Sequence, residues 1–184
     1  MNHVVQNLTD EIILILLRGP LHTRGIADLL GRSHATVIRR LQAMVGDNIL
    51  DFTVEGKNKV YYLKKSIEGR NAAITAELYK QSRLVEKYPV FRGIIRAVLD
   101  MQEIRLALIF GSYAKGTAHE GSDIDLYIET ENRTLKKKLE DQYSTLSIKT
   151  GSFTMENPLI REIAKDHVII RGVEEYFEKT PFFT

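Results

Sequence analysis

Apolar positions in the first hundred residues recur mainly at helical spacing, and beyond them come short apolar runs of strand length. Ile12–Leu17 is apolar on every side, so it predicts a largely buried helix from Thr9 or Asp10 to about Arg18, stopped by Gly19-Pro20. A second helix follows with Thr23 as N-cap, Ile26, Ala27, Leu29 and Leu30 turned inward, and Gly31 as its stop. Ser33 caps a third, Ser33–Val45, whose Val37, Ile38, Leu41, Met44 and Val45 share one side. Arg32, Thr36, Arg39 and Ala43 lie within about sixty degrees of one another on the opposite side. Two β-prone runs, Ile49–Glu55 and Val60–Leu63, are joined by Gly56-Lys57-Asn58-Lys59, which predicts a hairpin with a basic tip.

Ser66–Tyr88 is helical in composition and ends where Pro89 disfavours continuation. Val90–Met101 carries Phe91, Ile94, Ile95, Val98 and Leu99 at core-packing helical spacing. The first of these stretches reads as a connector that also offers a dimerisation face, the second as the opening of a C-terminal domain. No internal repeat or low-complexity segment is visible.

The chemistry concentrates beyond that point. Ile104–Phe110 has the pattern of a buried strand and runs into Gly111-Ser112-Tyr113-Ala114-Lys115-Gly116, a polar loop, and Gly121-Ser122-Asp123-Ile124-Asp125-Leu126-Tyr127-Ile128. Gly111 at a strand end lets backbone approach a phosphate, because no Cβ intervenes. Ser112 adds a hydroxyl donor, and the free N–H groups of a helix starting there would favour an anion. Asp123 and Asp125 are two apart on an expected strand, so both carboxylates point to one face. Such a pair repels unless a cation lies between, and Mg²⁺, which shares oxygen ligands with substrate phosphates, suits that place. Lys115 reads equally as a neutraliser of a triphosphate or as a solvated loop lysine. Tyr113 and Tyr127 read equally as base-stacking faces or core residues, and His119 as a surface loop residue.

Taken in order, Gly111, Ser112, Ala114, Gly116, Ser122, Asp123, Asp125 and Leu126 resemble the nucleotidyltransferase superfamily related to DNA polymerase beta, most closely its minimal nucleotidyltransferase branch. Asn157-Pro158 opening a helix, and His167–Arg171 as a strand ending at Gly172, extend the resemblance over roughly residues 90–178. It implies a small mixed sheet with helices on one side, binding a Mg²⁺–nucleoside triphosphate and transferring NMP to a hydroxyl. Gly111 and Ser112 would hold the phosphates, with Lys115 and Ser122 beside them, and Asp123 and Asp125 would be the catalytic metal ligands. Partners of antitoxin type are implied by the same resemblance. Residues 8–65 resemble the winged-helix DNA-binding domain, with Arg32, Thr36, Arg39, Arg40, Lys57 and Lys59 facing double-stranded DNA. Many such domains serve only protein interaction, and that reading stays open. His34 projects toward the apolar side of its helix and reads as packed or capping.

Catalytic members of the superfamily usually place a third carboxylate on a following strand. Here that strand is Thr145–Lys149, which holds no acid and ends in Lys149. Glu140, Asp141 and Glu156 lie before or after it. Glu129 is in phase with Asp125 but about 13 Å along the strand. Turnover and nucleotide binding without turnover, in a DNA-binding regulator, are therefore both open.

Composition narrows the setting. Of 184 residues none is cysteine, which removes disulfides and thiolate metal sites and leads us to expect a cytoplasmic protein. The five histidines show no metal-ligand spacing. No apolar run nears the roughly 20 residues of a membrane span. Residues 1–65 hold nine Lys/Arg against six Asp/Glu, so the small net charge of +2 arises in the N-terminal part, which permits nucleic-acid binding there without requiring it. The chain is thus expected to be α+β: a winged helix of three helices plus β-hairpin (1–66), a connecting helix (67–88), and a nucleotidyltransferase fold with a mixed β-sheet (89–184).

Overall fold

The computed structural model describes residues 2–183, with side chains from Asn7 onward. The chain is mixed α and β and divides into two compact units, the first ending at Tyr79 and the second beginning at Lys80. Among the described residues no helix is long and apolar enough to cross a membrane.

The first unit begins with helix α1, Asn2–Leu16. It starts before the expected Thr9 because no glycine or proline precedes it to stop a helix, and Thr9 is no cap. Thr9 is buried, and its Oγ1 accepts a hydrogen bond from Arg40 Nε at 2.6 Å. Strand β1 (Leu21–His22) leads into α2 (Thr23–Leu30). The N-cap of α2 is His22, whose Nδ1 accepts from the Gly25 N–H at 2.9 Å, and Thr23 is the first helical residue. Pairing of β1 holds His22 extended, which is the backbone an N-cap needs. Leu29 is 68% exposed and does not face inward.

Helix α3 (His34–Gly46) is capped by Ser33, whose Oγ accepts from the Thr36 N–H at 3.2 Å. Val37, Leu41 and Met44 are buried on its inner side. Strands β2 (Leu50–Glu55) and β3 (Asn58–Leu63) form an antiparallel hairpin in which Glu55 faces Asn58. The turn is therefore only Gly56-Lys57, with Gly56 at φ +62°, and Asn58 and Lys59 belong to the ladder. β1 adds to β3, giving a three-stranded sheet in the order β1-β3-β2.

Helix α4, Ile67–Lys87, spans the division between the units. Its start is tied into the first unit through Asn48, the one non-glycine residue at positive φ among those described. Ser66 Oγ donates to Asn48 O at 2.6 Å and accepts from the Gly69 N–H at 3.0 Å. Lys64 Nζ donates to Asn48 Oδ1, and Asn48 Nδ2 donates to Glu68 Oε2.

In the second unit Pro89 ends α4, and α5 (Phe91–Asp100) follows. The sheet holds β4 (Ala107–Phe110), β5 (Ile124–Glu129), β6 (Leu146–Gly151) and β7 (Val168–Arg171) in the order β6-β5-β4-β7. It is mixed: β5 and β6 are parallel, the other pairs antiparallel. Phe91, Ile94 and Val98 of α5, and Leu139 of α7 (Arg133–Gln142), cluster with Ile109, Ile124, Leu126, Ile128 and Ile148 of the sheet.

Helices were expected on one side only, yet the opposite face is covered in part as well. Tyr127, which alternates with Leu126 and Ile128, stacks edge-on with Phe153, and Phe153 meets Tyr176 of α9 (Val173–Lys179). Lys179 Nζ also reaches Glu129 Oε1 at 3.0 Å. Short helices α6 (Gly111–Lys115) and α8 (Pro158–Lys165) complete the unit, the latter capped by Asn157 with Pro158 at its first turn, as the sequence predicts.

Gly172 joins β7 to α9 at φ +79°, where an added Cβ would lie 2.1 Å from Arg105 O. Gly172→Ala must strain the backbone and push two chain segments apart. The expected cost is about 3 kcal/mol, near the upper end for single substitutions, read as a lowered urea midpoint for the second unit.

Candidate functional site

β4 and β5 run antiparallel with Phe110 opposite Asp125, so the end of β4 and the start of β5 coincide. At that point the chain leaves β4 through Gly111, at φ +68°, directly into α6. A Cβ on Gly111 would lie 2.1 Å from Asp125 Oδ2. The glycine is thus required twice, for its backbone angle and for the closeness of a carboxylate to the turn. Gly116 ends α6 in a left-handed conformation, and the Thr117 N–H closes on Ser112 O at 2.9 Å. Ser112 is half-buried in the first turn of α6.

Asp123 is exposed just before β5, and Asp125 is half-buried as its second residue. Burial, and next the charge of Asp123, hold the Asp125 pKa above the ordinary carboxylate range, while the Lys149 ammonium pulls it partly back. The alternation that buries Ile124, Leu126 and Ile128 puts Asp125, Tyr127 and Glu129 on the other face. Further along that face Tyr127 and Glu129 are covered by Phe153 and Lys179, which leaves the acid pair at its open end.

The remaining candidates separate clearly. Ser122 Oγ accepts the His119 N–H at 3.0 Å, so it closes the loop that delivers Asp123. Lys115 is exposed at the end of α6, and its charge reaches Glu162 of α8. Tyr113 packs edge-on against Tyr88 and Phe91, and the Tyr127 hydroxyl donates to Gly151 O at 2.8 Å. Both tyrosines are taken up by packing and are not offered to a base. Burial, and next the charge of Glu129, drive the Tyr127 pKa far above the usual phenol range.

Asp125, half-buried beside the glycine turn, and Asp123, exposed just before β5, are the carboxylates that could hold a divalent cation. Among the described residues no group of three or more acids or histidines is placed to hold a metal. Glu140 pairs with Lys136 on α7, Glu156 accepts from Thr154, and Glu129 is bound to Lys179 and the Phe153 N–H.

In the first unit a concavity of about 530 Å³ lies between the start of α2, the His34, Ile38 and Gln42 face of α3, and the hairpin. It joins Lys57 and Lys59 with His22, Arg24, His34, Gln42 and Asn58, which sequence reasoning did not single out as site residues. His34 is exposed and lines this groove, contrary to the packed position expected of it. Arg32, Thr36 and Arg39 are exposed on the neighbouring surface, with the Thr36 hydroxyl bonded to the Ser33 cap. Arg40 departs from this set, since its guanidinium is committed to Thr9 of α1. Lys59 stands over the Phe52 ring at 3.9 Å, which holds its ammonium at the hairpin.

Residues 94–172 match the family Polymerase beta, Nucleotidyltransferase. No curated protein matches the sequence.

The strained charge on Asp125 has a measurable sign. An acid whose folded pKa is raised stabilises the fold least when ionised, so stability is lost as pH rises through that pKa. Without divalent ions, Asp125→Asn is expected to raise Tm by a few degrees near neutral pH. The gain should vanish toward pH 4, as a pH series of thermal melts would record.

Proposed function

We propose that the second unit binds a Mg²⁺–nucleoside triphosphate at Gly111, Ser112, Asp123 and Asp125 and transfers its NMP to a hydroxyl acceptor. The observation that carries this reading is the Asp125 carboxylate set against Gly111, within the stretch that matches the nucleotidyltransferase family. Asp123 and Asp125 hold the ion, which when bound supplies the charge that lets a polyanion approach two carboxylates. Gly111 keeps the turn free of side-chain bulk so that the phosphates reach backbone, and Ser112 donates from the first turn of α6. Lys115 and Ser122 flank them, the latter by fixing the loop that carries Asp123.

A second reading is favoured by one feature, the acid-free strand β6. Losing a group that orients the acceptor hydroxyl costs ~10²–10⁴-fold in rate. On this reading the nucleotide is bound and read out, not consumed, by a DNA-binding regulator or an antitoxin-like protein. Titration calorimetry with non-hydrolysable ATP and GTP in Mg²⁺ separates a working site from a vestigial one. Binding to wild type that is lost in the Asp123→Asn/Asp125→Asn double variant supports either form, and absence of binding removes both.

For the first unit we propose a winged helix that binds double-stranded DNA. Arg32, Thr36 and Arg39 are exposed on α3, and Lys57 and Lys59 line the groove between α3 and the hairpin together with Arg24. With about four phosphates neutralised, affinity should fall roughly 10²-fold between about 50 and 200 mM salt. Arg39→Ala should weaken binding about tenfold, whereas Arg40→Ala should lower thermal stability instead, because Arg40 serves Thr9. Fluorescence anisotropy with genomic duplex fragments checks both, and salt-independent binding would refute the interface. Homodimerisation through α4 and pairing with a separate antitoxin-type protein remain proposals of the same kind, resting on the length of α4 and on family likeness.

A further inference from the structure

Strand β6 runs parallel to β5 and in register with it: Ser147 lies opposite Asp125, and Lys149 opposite Tyr127. Register partners on neighbouring strands point to the same side of the sheet. The β6 residues that flank Asp125 on the open face are therefore Ser147, half-buried, and Lys149, exposed. Lys149 is near enough for its charge to act on Asp125. A third carboxylate would have to come from these positions, and a hydroxyl and an ammonium hold them.

We propose that Lys149 supplies, as a fixed side-chain cation, the positive charge that a second metal ion would bring. The site then takes one divalent ion per nucleoside triphosphate. This inference rests on the reading of Asp123 and Asp125 as the holders of a metal–nucleotide complex. One divalent ion cancels the two carboxylates and leaves the triphosphate, near −4, short of positive charge on the β6 side. The Lys149 ammonium meets that shortfall from a strand already held to β5 along its length. It also repels a second divalent ion from the place where the acceptor hydroxyl would be activated. With one ion and no third carboxylate the nucleotide is held without the ion that would activate an acceptor, so this inference deepens the second reading above, binding without turnover, and not the transfer reading.

The experiment counts bound Mn²⁺ by electron paramagnetic resonance in the full-length protein with α,β-methylene ATP or GTP, and measures nucleotide affinity by calorimetry. Wild type is expected to bind one Mn²⁺ per nucleotide. Lys149→Met should lose at least tenfold in nucleotide affinity while remaining folded, with its nucleotide-free Tm lowered by only about a degree or two, and Lys149→Arg should recover most of the affinity. Ser147→Asp/Lys149→Met should take up a second Mn²⁺. Two ions in wild type, or undiminished affinity in Lys149→Met, would overturn the role of Lys149 while leaving the nucleotide site standing. Absence of any Mn²⁺–nucleotide complex in wild type would remove the underlying site and the inference together.

Discussion

Two carboxylates held close together are unfavourable in a folded chain, and the second unit is arranged around tolerating them. Asp125 is half-buried within charge range of Asp123 and lies against a residue that must lack a Cβ. Each neighbouring feature follows from that demand. The turn after β4 has to be glycine, and the Ser122 hydroxyl closes the loop before β5. Farther along the same face Tyr127, Phe153 and the Glu129–Lys179 pair seal it. The apolar layer of α5 and α7 behind the sheet anchors the strands that carry this repulsion. Stability sacrificed at one strand start is offset by packing elsewhere, the usual relation between a working site and its scaffold.

The basic groove of the first unit rests on a different principle. Its residues come from β1, α2, α3 and the hairpin, and what brings them together is the two-residue strand β1. β1 pairs with β3, which fixes the start of α2 beside the hairpin and turns His22 into a helix cap. Because Nδ1 of His22 accepts from backbone, its remaining nitrogen must carry the proton in the neutral ring. The groove thereby gains a donor from a residue whose first duty is structural.

How much could be read from residues alone depended on the range of the interaction. Ser33, Pro89 and Asn157-Pro158 act on their immediate neighbours, and the helix ends they mark lie where the sequence predicts. The glycine turn and the paired acids are local as well, and period-two alternation around Ile124 and Leu126 was enough to put Asp125 off the core side. What escaped was set by partners far along the chain. Arg40 belongs to the basic set expected to face DNA, but Thr9 draws it to α1. His34 looks inward, yet it lines the groove beside the hairpin. Leu29 fits an apolar stripe and is exposed, since nothing in its own spacing reveals where α1 ends. The cover supplied by α9 and the closeness of Lys149 to Asp125 both depend on strand pairing, which no short window of sequence encodes.

Strand order also has a bearing on how the protein is made. β4 is an apolar Ala-Leu-Ile-Phe segment that lies between β5 and β7 in the sheet. β5 follows it shortly, but β7 emerges from the ribosome only after α7, β6 and α8 have been made. Until then one edge of β4 keeps its backbone donors and acceptors unsatisfied beside apolar side chains, the form of surface on which nascent chains stick together. Rapid synthesis through residues 130–171, or a chaperone that shields this edge, would therefore govern how much soluble protein a cell obtains.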